Sequence, residues 1–193
     1  MGRPKIHDEN TARRLLLVAE KVAETEGLGA LSLRRVAAET GLSTRAVYST
    51  FGSKDALAGA LGARAFHWLT EELDRAPVTP DPVQDLVEAG AVIFRRLVVE
   101  HPVLYHLGFQ ADCGEVAAEI VRTAASNGLG RLIRRVERVV IRPEDVRDGV
   151  RGLNALCEGL ASMELRGNFA ADADPAEAWR TALRTFVHGL TGS

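Results

Sequence analysis

Residues Leu33 to Phe51 read LRRVAAETGLSTRAVYSTF, and their small and apolar positions fall where two short crossed helices need them. Ala37 is small at the crossing, Gly41 can take the positive φ of a tight turn, and Val47 and Phe51 supply apolar anchors. Ser32 is placed to cap a first helix over Leu33 to Thr40, and Gly41-Leu42 ends it with a residue suited to the left-handed conformation. Ser43 or Thr44 can cap a second helix that carries Arg45, Tyr48, Ser49 and Thr50 on the side away from Val47 and Phe51. The pattern predicts a helix-turn-helix whose outer face offers donors for phosphates and base edges.

The flanking segments extend that reading. After Phe51, Gly52-Ser53-Lys54-Asp55-Ala56-Leu57 places Ser53 as the cap of a further helix and Asp55 at its positive end, with Lys54 free to reach outward. Upstream, Leu15, Val18, Ala19, Val22 and Ala23 form an amphipathic stripe that stops at Gly27 and can cover the helix pair. With the run TRAVYSTFGSKDAL, from Thr44 to Leu57, this order closely resembles the TetR family of bacterial transcriptional regulators. The resemblance covers about Thr11 to Leu61, roughly a quarter of the chain, with Tyr48, Phe51, Lys54 and Leu57 its most specific positions.

The chain has 193 residues and a formal charge of only -2, so the global balance neither favours nor excludes nucleic acid. The distribution of charge is more informative. Residues 1–55 carry nine Lys or Arg against seven Asp or Glu, whereas residues 56–193 carry fifteen against nineteen. Phosphate contacts need local positive charge, and an acidic body limits indiscriminate binding. Cys113 and Cys157 are too few for a disulfide scaffold and lack a metal-ligand spacing. No apolar run has the length of a membrane span, which points to a soluble cytoplasmic protein.

Helix signals recur through the remainder, and strand alternation does not. The helix begun at Ser53 is expected to run through Leu57, Leu61, Trp68 and Leu73 to the Pro-rich link at residues 76–82. Asp81-Pro82-Val83-Gln84 opens another helix, with Asp as cap and Gln at the capping-box position, until His101-Pro102 breaks it. A short helix is expected over Val103 to Phe109. Asp112-Cys113-Gly114-Glu115 repeats the capping pattern, Asn127-Gly128 is read as an interruption, and the helical stretch resumes through Val140. Pro143 starts a helix to about Leu165, and Asp174-Pro175-Ala176-Glu177 starts the last. The expected fold is all-α: an N-terminal three-helix helix-turn-helix DNA-binding head, residues 1–53, on a C-terminal helical ligand-binding and dimerisation body, residues 54–193. So small a head should lean on the helix that begins at Ser53. That helix would then pass a shift in the body to the head, as the family resemblance implies.

The body is also similar to the TetR C-terminal domains named for a Trp-His-Gly motif, through HPVLYHLGF at His101 to Phe109 and LCEGLASMELRGNF at Leu156 to Phe169. Gly159 fits that motif, while Glu158 stands where His is expected and Asn154 where Trp is expected.

The resemblance assigns DNA contacts by position. Arg34 is a base-edge or phosphate donor; Thr44, Arg45 and Ala46 face bases; Tyr48, Thr50 and Lys54 hold the backbone. Arg45 could pair bidentately with guanine, which implies a G in each half-site. Only one of Arg34 and Arg35 can point fully at the duplex. The tail with Arg3 and Lys5 is either a disordered start or an arm that reaches a minor groove.

Gly149, Gly152 and Gly159 are unfavourable choices inside a helix unless another helix approaches closely, and the neighbouring Ala155 and Ala161 are small enough to allow that approach. Either a four-helix homodimer interface, as in TetR-like proteins, or packing within one protomer would explain them, and two half-sites favour the dimer. Trp68, Phe94, Leu97, Tyr105, Phe109, Leu156 and Met163 are candidate lining for an effector cavity, with His67, His101, His106, Asn154 or Glu164 as polar groups. The spacing of His101, His106, Asp112 and Cys113 does not support a metal site, and no cofactor is implied. There is no G-x-S-x-G elbow, Walker loop, dinucleotide fingerprint or H-E-x-x-H, so an enzyme is disfavoured. The sequence therefore points to a ligand-responsive regulator, a repressor, that binds a palindromic double-stranded DNA operator and is released by a small apolar effector. The alternative is a helical interaction module that no longer binds DNA.

Overall fold

The computed structural model describes residues 5–111 and 113–192, with residues 5–9 described by their helical backbone alone. Arg3 and Asp112, and the side chain of Lys5, lie outside the described residues. The architecture is all-helical, with no strand among the described residues.

The helices are α1 (Lys5–Glu26), α2 (Leu33–Thr40), α3 (Thr44–Phe51), α4 (Lys54–Arg75) and α5 (Pro82–Glu88). Without a break, α5 passes through a π-helical segment, Ala89–Phe94, into α6 (Arg95–Glu100). Next come α7 (Pro102–Tyr105) with a second π-helical segment, His106–Gln110, then α8 (Glu115–Glu137), α9 (Val146–Leu165) and α10 (Pro175–Leu190). The chain forms two compact units, one made of residues up to Phe66 with Pro102–Ala125, the other of His67–His101 with the residues from Ser126 onward. Both α4 and α8 contribute to each unit.

In the first unit, Leu15, Ala19, Val22 and Ala23 of α1 are buried, as the stripe requires, and α1 ends at Gly27 with φ +84°. They share the core with Leu33, Val36 and Ala37 of α2, Val47 of α3, and Leu57 and Leu61 of α4. Gly62 lets α4 meet the second π-helical segment backbone to backbone, since a β-carbon there would lie 2.6 Å from the Leu107 carbonyl oxygen. Each buried valine or leucine in this core contributes on the order of 1.5–3 kcal/mol.

In the second unit, α10 packs on α5 and the first π-helical segment, with Trp179, Leu183 and Val187 fully buried. The Glu164 carboxylate accepts from Arg95 at 2.7 Å and from the Trp179 indole N–H at 2.8 Å, which satisfies the one polar atom of that ring. Asp85, buried at the start of the bundle, accepts from the Thr79 N–H and hydroxyl and from Arg138 at 2.7 Å. Arg135 donates to the Leu73 carbonyl at 2.8 Å, capping the exposed end of α4 with a cation.

Three local expectations change. Asn127-Gly128 does not interrupt α8, because burial of Ala124 and Val136 on either side outweighs a propensity deficit of about 1 kcal/mol. The helix also stops at Glu137 rather than Val140, with Val139 and Val140 both turned back onto the Val136 carbonyl. Asp81 does cap α5, accepting from Gln84 N–H at 2.9 Å, but the Gln84 side chain donates to Glu88 instead of closing a capping box.

Candidate nucleic-acid interface and effector site

The helix-turn-helix is built by three serine caps and two glycines of positive φ. Ser32 accepts from Arg35 N–H at 3.1 Å to start α2, which ends at Gly41 with φ +70°. Ser43 accepts from Ala46 N–H at 3.2 Å and starts α3, so the cap is Ser43 rather than Thr44. Gly52, at φ +76°, donates to the Tyr48 carbonyl, and Ser53 accepts from Ala56 N–H to begin α4. These bonds satisfy helix-end groups at the starts of α2, α3 and α4 and at the end of α3, and so fix the geometry of the recognition helix.

Val47 is fully buried, and its orientation sets the face of α3 that looks outward. Thr44, Arg45, Tyr48, Ser49 and Thr50 are exposed, with Ala46 half-buried between them; Tyr48 keeps 47% of its surface accessible, high for an aromatic ring. The Ser49 and Thr50 hydroxyls donate to the Ala46 carbonyl at 2.8 and 3.0 Å, so each keeps its lone pairs while its proton is held by the helix. Lys54 is exposed just beyond the corner.

The two arginines of α2 divide as their spacing requires. Arg35 is held by Glu26 at 2.7 Å and Glu39 at 2.6 Å, and these bonds raise its pKa and lower that of Glu26. Arg34 is exposed, and Arg34, Arg45 and Lys54 have no acidic partner among the described residues. Three cations on one head are thus left uncompensated. That the Glu26–Arg35–Glu39 clamp would single out Arg34 was not readable beforehand, although the i, i+4 spacing of Arg35 and Glu39 was a signal for half of it.

The candidate effector residues are divided between the units. Tyr105 and Phe109 belong to the first, with ring centroids 5.6 Å apart, and Phe66 lies 4.7 Å from Phe109. The Gln110 amide donates to the Tyr105 hydroxyl. Trp68, Phe94, Leu97, Leu156 and Met163 belong to the second. Trp68 carries the Arg96 guanidinium 5.3 Å above its ring and His101 at 5.4 Å, Phe94 lies 6.3 Å from Trp179, Leu97 is fully buried and Leu156 half-buried. Met163 is 41% exposed. Of the polar candidates, Glu164 is occupied by Arg95 and Trp179, while His67 and His106 are exposed. Sequence reasoning missed a groove of about 860 Å³ in the second unit, lined by Leu129, Ile133, Val140, Ile141 and Val150 with Asn154 at its rim. The apolar run Val139-Val140-Ile141 just past a helix end was its signal.

Residues 15–61 match the bacterial regulatory proteins of the tetR family, and residues 87–186 match the tetracyclin repressor-like C-terminal domain. The chain belongs to the TetR family. The N-terminal match runs from within α1 through α3 into the first part of α4, and the C-terminal match runs from the end of α5 into α10. Among solved structures, the TetR-like fold recurs in the multidrug binding protein EbrR complexed with imidazole, at 21% identity, a TM-score of 0.69, and coverage of 95% of this chain and 93% of that one. The SmeT–triclosan complex gives 21%, 0.70, 93% and 91%. A TetR variant from Acinetobacter baumannii AYE in complex with minocycline gives 17%, 0.64, 91% and 93%. At these identities the likeness is one of fold. No curated protein matches the chain significantly.

Proposed function

We propose that this TetR-family regulator is a homodimeric repressor of the cytoplasm, whose head, residues 1–53, reads a palindromic operator and whose body, residues 54–193, releases it on binding a small apolar effector. The observation that carries the DNA reading is the outward face of α3 and the adjoining corner. Thr44, Arg45 and Ala46 meet base edges, and Tyr48, Thr50 and Lys54 hold phosphates. Arg34 joins them because Arg35 is committed to Glu26 and Glu39. Arg3 and the Lys5 side chain, which lie outside the described residues, would serve as an arm into a minor groove.

Support for the dimer comes from α9. Gly149 and Gly152 are accounted for within the protomer, by Val136 and Leu190 and by Phe186. Gly159 faces open space, as does Gly189 on α10, so neither glycine is explained by its own chain. A partner helix approaching there would account for both and would set two heads at the spacing of successive major grooves. The effector reading is supported by EbrR, SmeT and TetR, which share the fold and are found in complex with imidazole, triclosan and minocycline. In this chain each unit offers its own apolar candidates, Tyr105 and Phe109 in the first and Trp68, Phe94, Leu97, Leu156 and Met163 in the second.

Selection of bound fragments from a random duplex pool tests the proposal. An inverted repeat with a G in each half-site is expected, and failure to enrich any sequence would leave the helical interaction module in its place.

A further inference from the structure

We infer that Asp55 is a positioning residue for DNA binding: from the first turn of α4 it holds the start of α8, beside the phosphate-contacting Lys54. The inference rests on the DNA-binding reading above. It begins from a missing side chain. The residue before α8 is Gly114, whose carbonyl accepts from Ala118 N–H at 3.0 Å but which has no side-chain oxygen for the next free N–H groups. The oxygen comes from Asp55, sixty-two residues earlier: its Oδ2 accepts from Ala117 N–H at 3.2 Å.

The surroundings are shaped for this contact. A β-carbon on Gly114 would lie 2.7 Å from both carboxylate oxygens of Asp55, so any larger residue there forces the carboxylate to move. One turn along α4, a β-carbon on Gly59 would lie 2.6 Å from the Ala117 α-carbon, and the two helices therefore touch backbone to backbone. Asp55 also occupies the first turn of its own helix, so a single carboxylate faces two positive helix ends. Such contacts are steep in distance. A shift of α8 cannot leave the start of α4 unmoved without stranding the Ala117 N–H and opening the Gly59–Ala117 contact.

The start of α4 is also the corner of the head. Lys54 precedes Asp55, and Ser53 and Gly52 tie the same turn to the Phe51 and Tyr48 carbonyls at the end of α3. Displacement of α8 is thereby passed to Lys54 and the outward face of α3, through a carboxylate that itself touches no DNA.

The test uses the full-length protein, the duplex it selects, and the variants Asp55→Ala, Asp55→Asn and Gly114→Ala, followed by operator affinity, its salt dependence and amide hydrogen exchange. Asp55→Ala and Gly114→Ala should speed exchange at 115–118 and at 44–54 together, leave 146–165 at the wild-type rate, and weaken operator binding about tenfold with an unchanged salt slope. Asp55→Asn keeps an acceptor oxygen and should stay within about threefold of wild type. Wild-type operator affinity and exchange at 44–54 in Asp55→Ala would overturn the inference, as would acceleration spread evenly through the chain. If Asp55→Ala fails to fold, Gly114→Ala decides by the same readings. Should the wild type bind no duplex, the DNA-binding reading fails, while the paired exchange response still decides whether Asp55 couples α8 to the head.

Discussion

Gly152 of α9 lies directly under the Phe186 ring of α10, where a β-carbon would come within 2.5 Å of the ring's Cζ. Gly159, two turns further along α9, meets nothing of its own chain within 4 Å. The two glycines should therefore respond differently to the same change. Gly152→Ala is expected to destabilise the protomer by about 1 to 3 kcal/mol through overpacking, whereas Gly159→Ala should gain up to about 1 kcal/mol of helix propensity. At Gly159 a leucine should dissociate the dimer in sedimentation while far-ultraviolet dichroism stays helical. Dimers that survive Gly159→Leu would place the interface elsewhere.

The Asp85–Arg138 pair gives a pH prediction. Burial pushes the Asp85 pKa up, but Arg138 and the hydroxyl and N–H of Thr79 outweigh it, so the net shift is downward. A carboxylate whose folded pKa is depressed stabilises the fold above its unfolded pKa, and the contribution is lost as pH falls through the folded value. Asp85→Asn should cost on the order of 1 kcal/mol near neutrality, because the charge-assisted bond from the partly exposed Arg138 becomes a neutral one. Denaturant titrations of both proteins should converge as the pH drops below about 4. A gap that persists at low pH would assign the loss to packing.

Cys157 is buried, and burial, with repulsion from Glu158, raises its thiol pKa to about 12. It should resist a thiol reagent at neutral pH in the native protein and react at the rate of unfolding. Rapid native modification, with Cys113 replaced by serine, would contradict the burial of α9 against its neighbours.

The arginine pair of α2 separates stability from recognition. Arg34→Ala should weaken duplex binding and leave the melting temperature close to wild type. Arg35→Ala removes the clamp on Glu26 and Glu39, freeing two carboxylates near the head, and should weaken DNA binding only through that added negative charge. High salt should erase most of the Arg35→Ala deficit.

The head was the most legible part of the chain because its signals are local. Ser32, Gly41, Ser43 and Ser53 each act within four residues, and α2 runs over the residues its caps imply. The body was legible as helices but less so in its joints. The continuity of α8 through Asn127-Gly128 depends on buried neighbours, and the cap of α8 depends on Asp55, far away in sequence. The glycines of α9 had one appearance and two roles, since Gly152 is filled by Phe186 and Gly159 is not. The effector set was the least legible, because apolar residues at helical spacing look alike whether they fill a core or line a cavity; Met163 and Leu97 differ only in exposure.

The most direct test of the central claim is the affinity of wild type, Arg45→Ala and Lys54→Ala for the selected operator and for a scrambled duplex across a range of salt. Arg45→Ala should lose about 1 to 3 kcal/mol on the operator and little on the scrambled duplex, while Lys54→Ala should weaken both and lower the salt slope by about one. Equal loss on both duplexes for Arg45→Ala would contradict the account, because the outward face of α3 would then hold DNA without reading it.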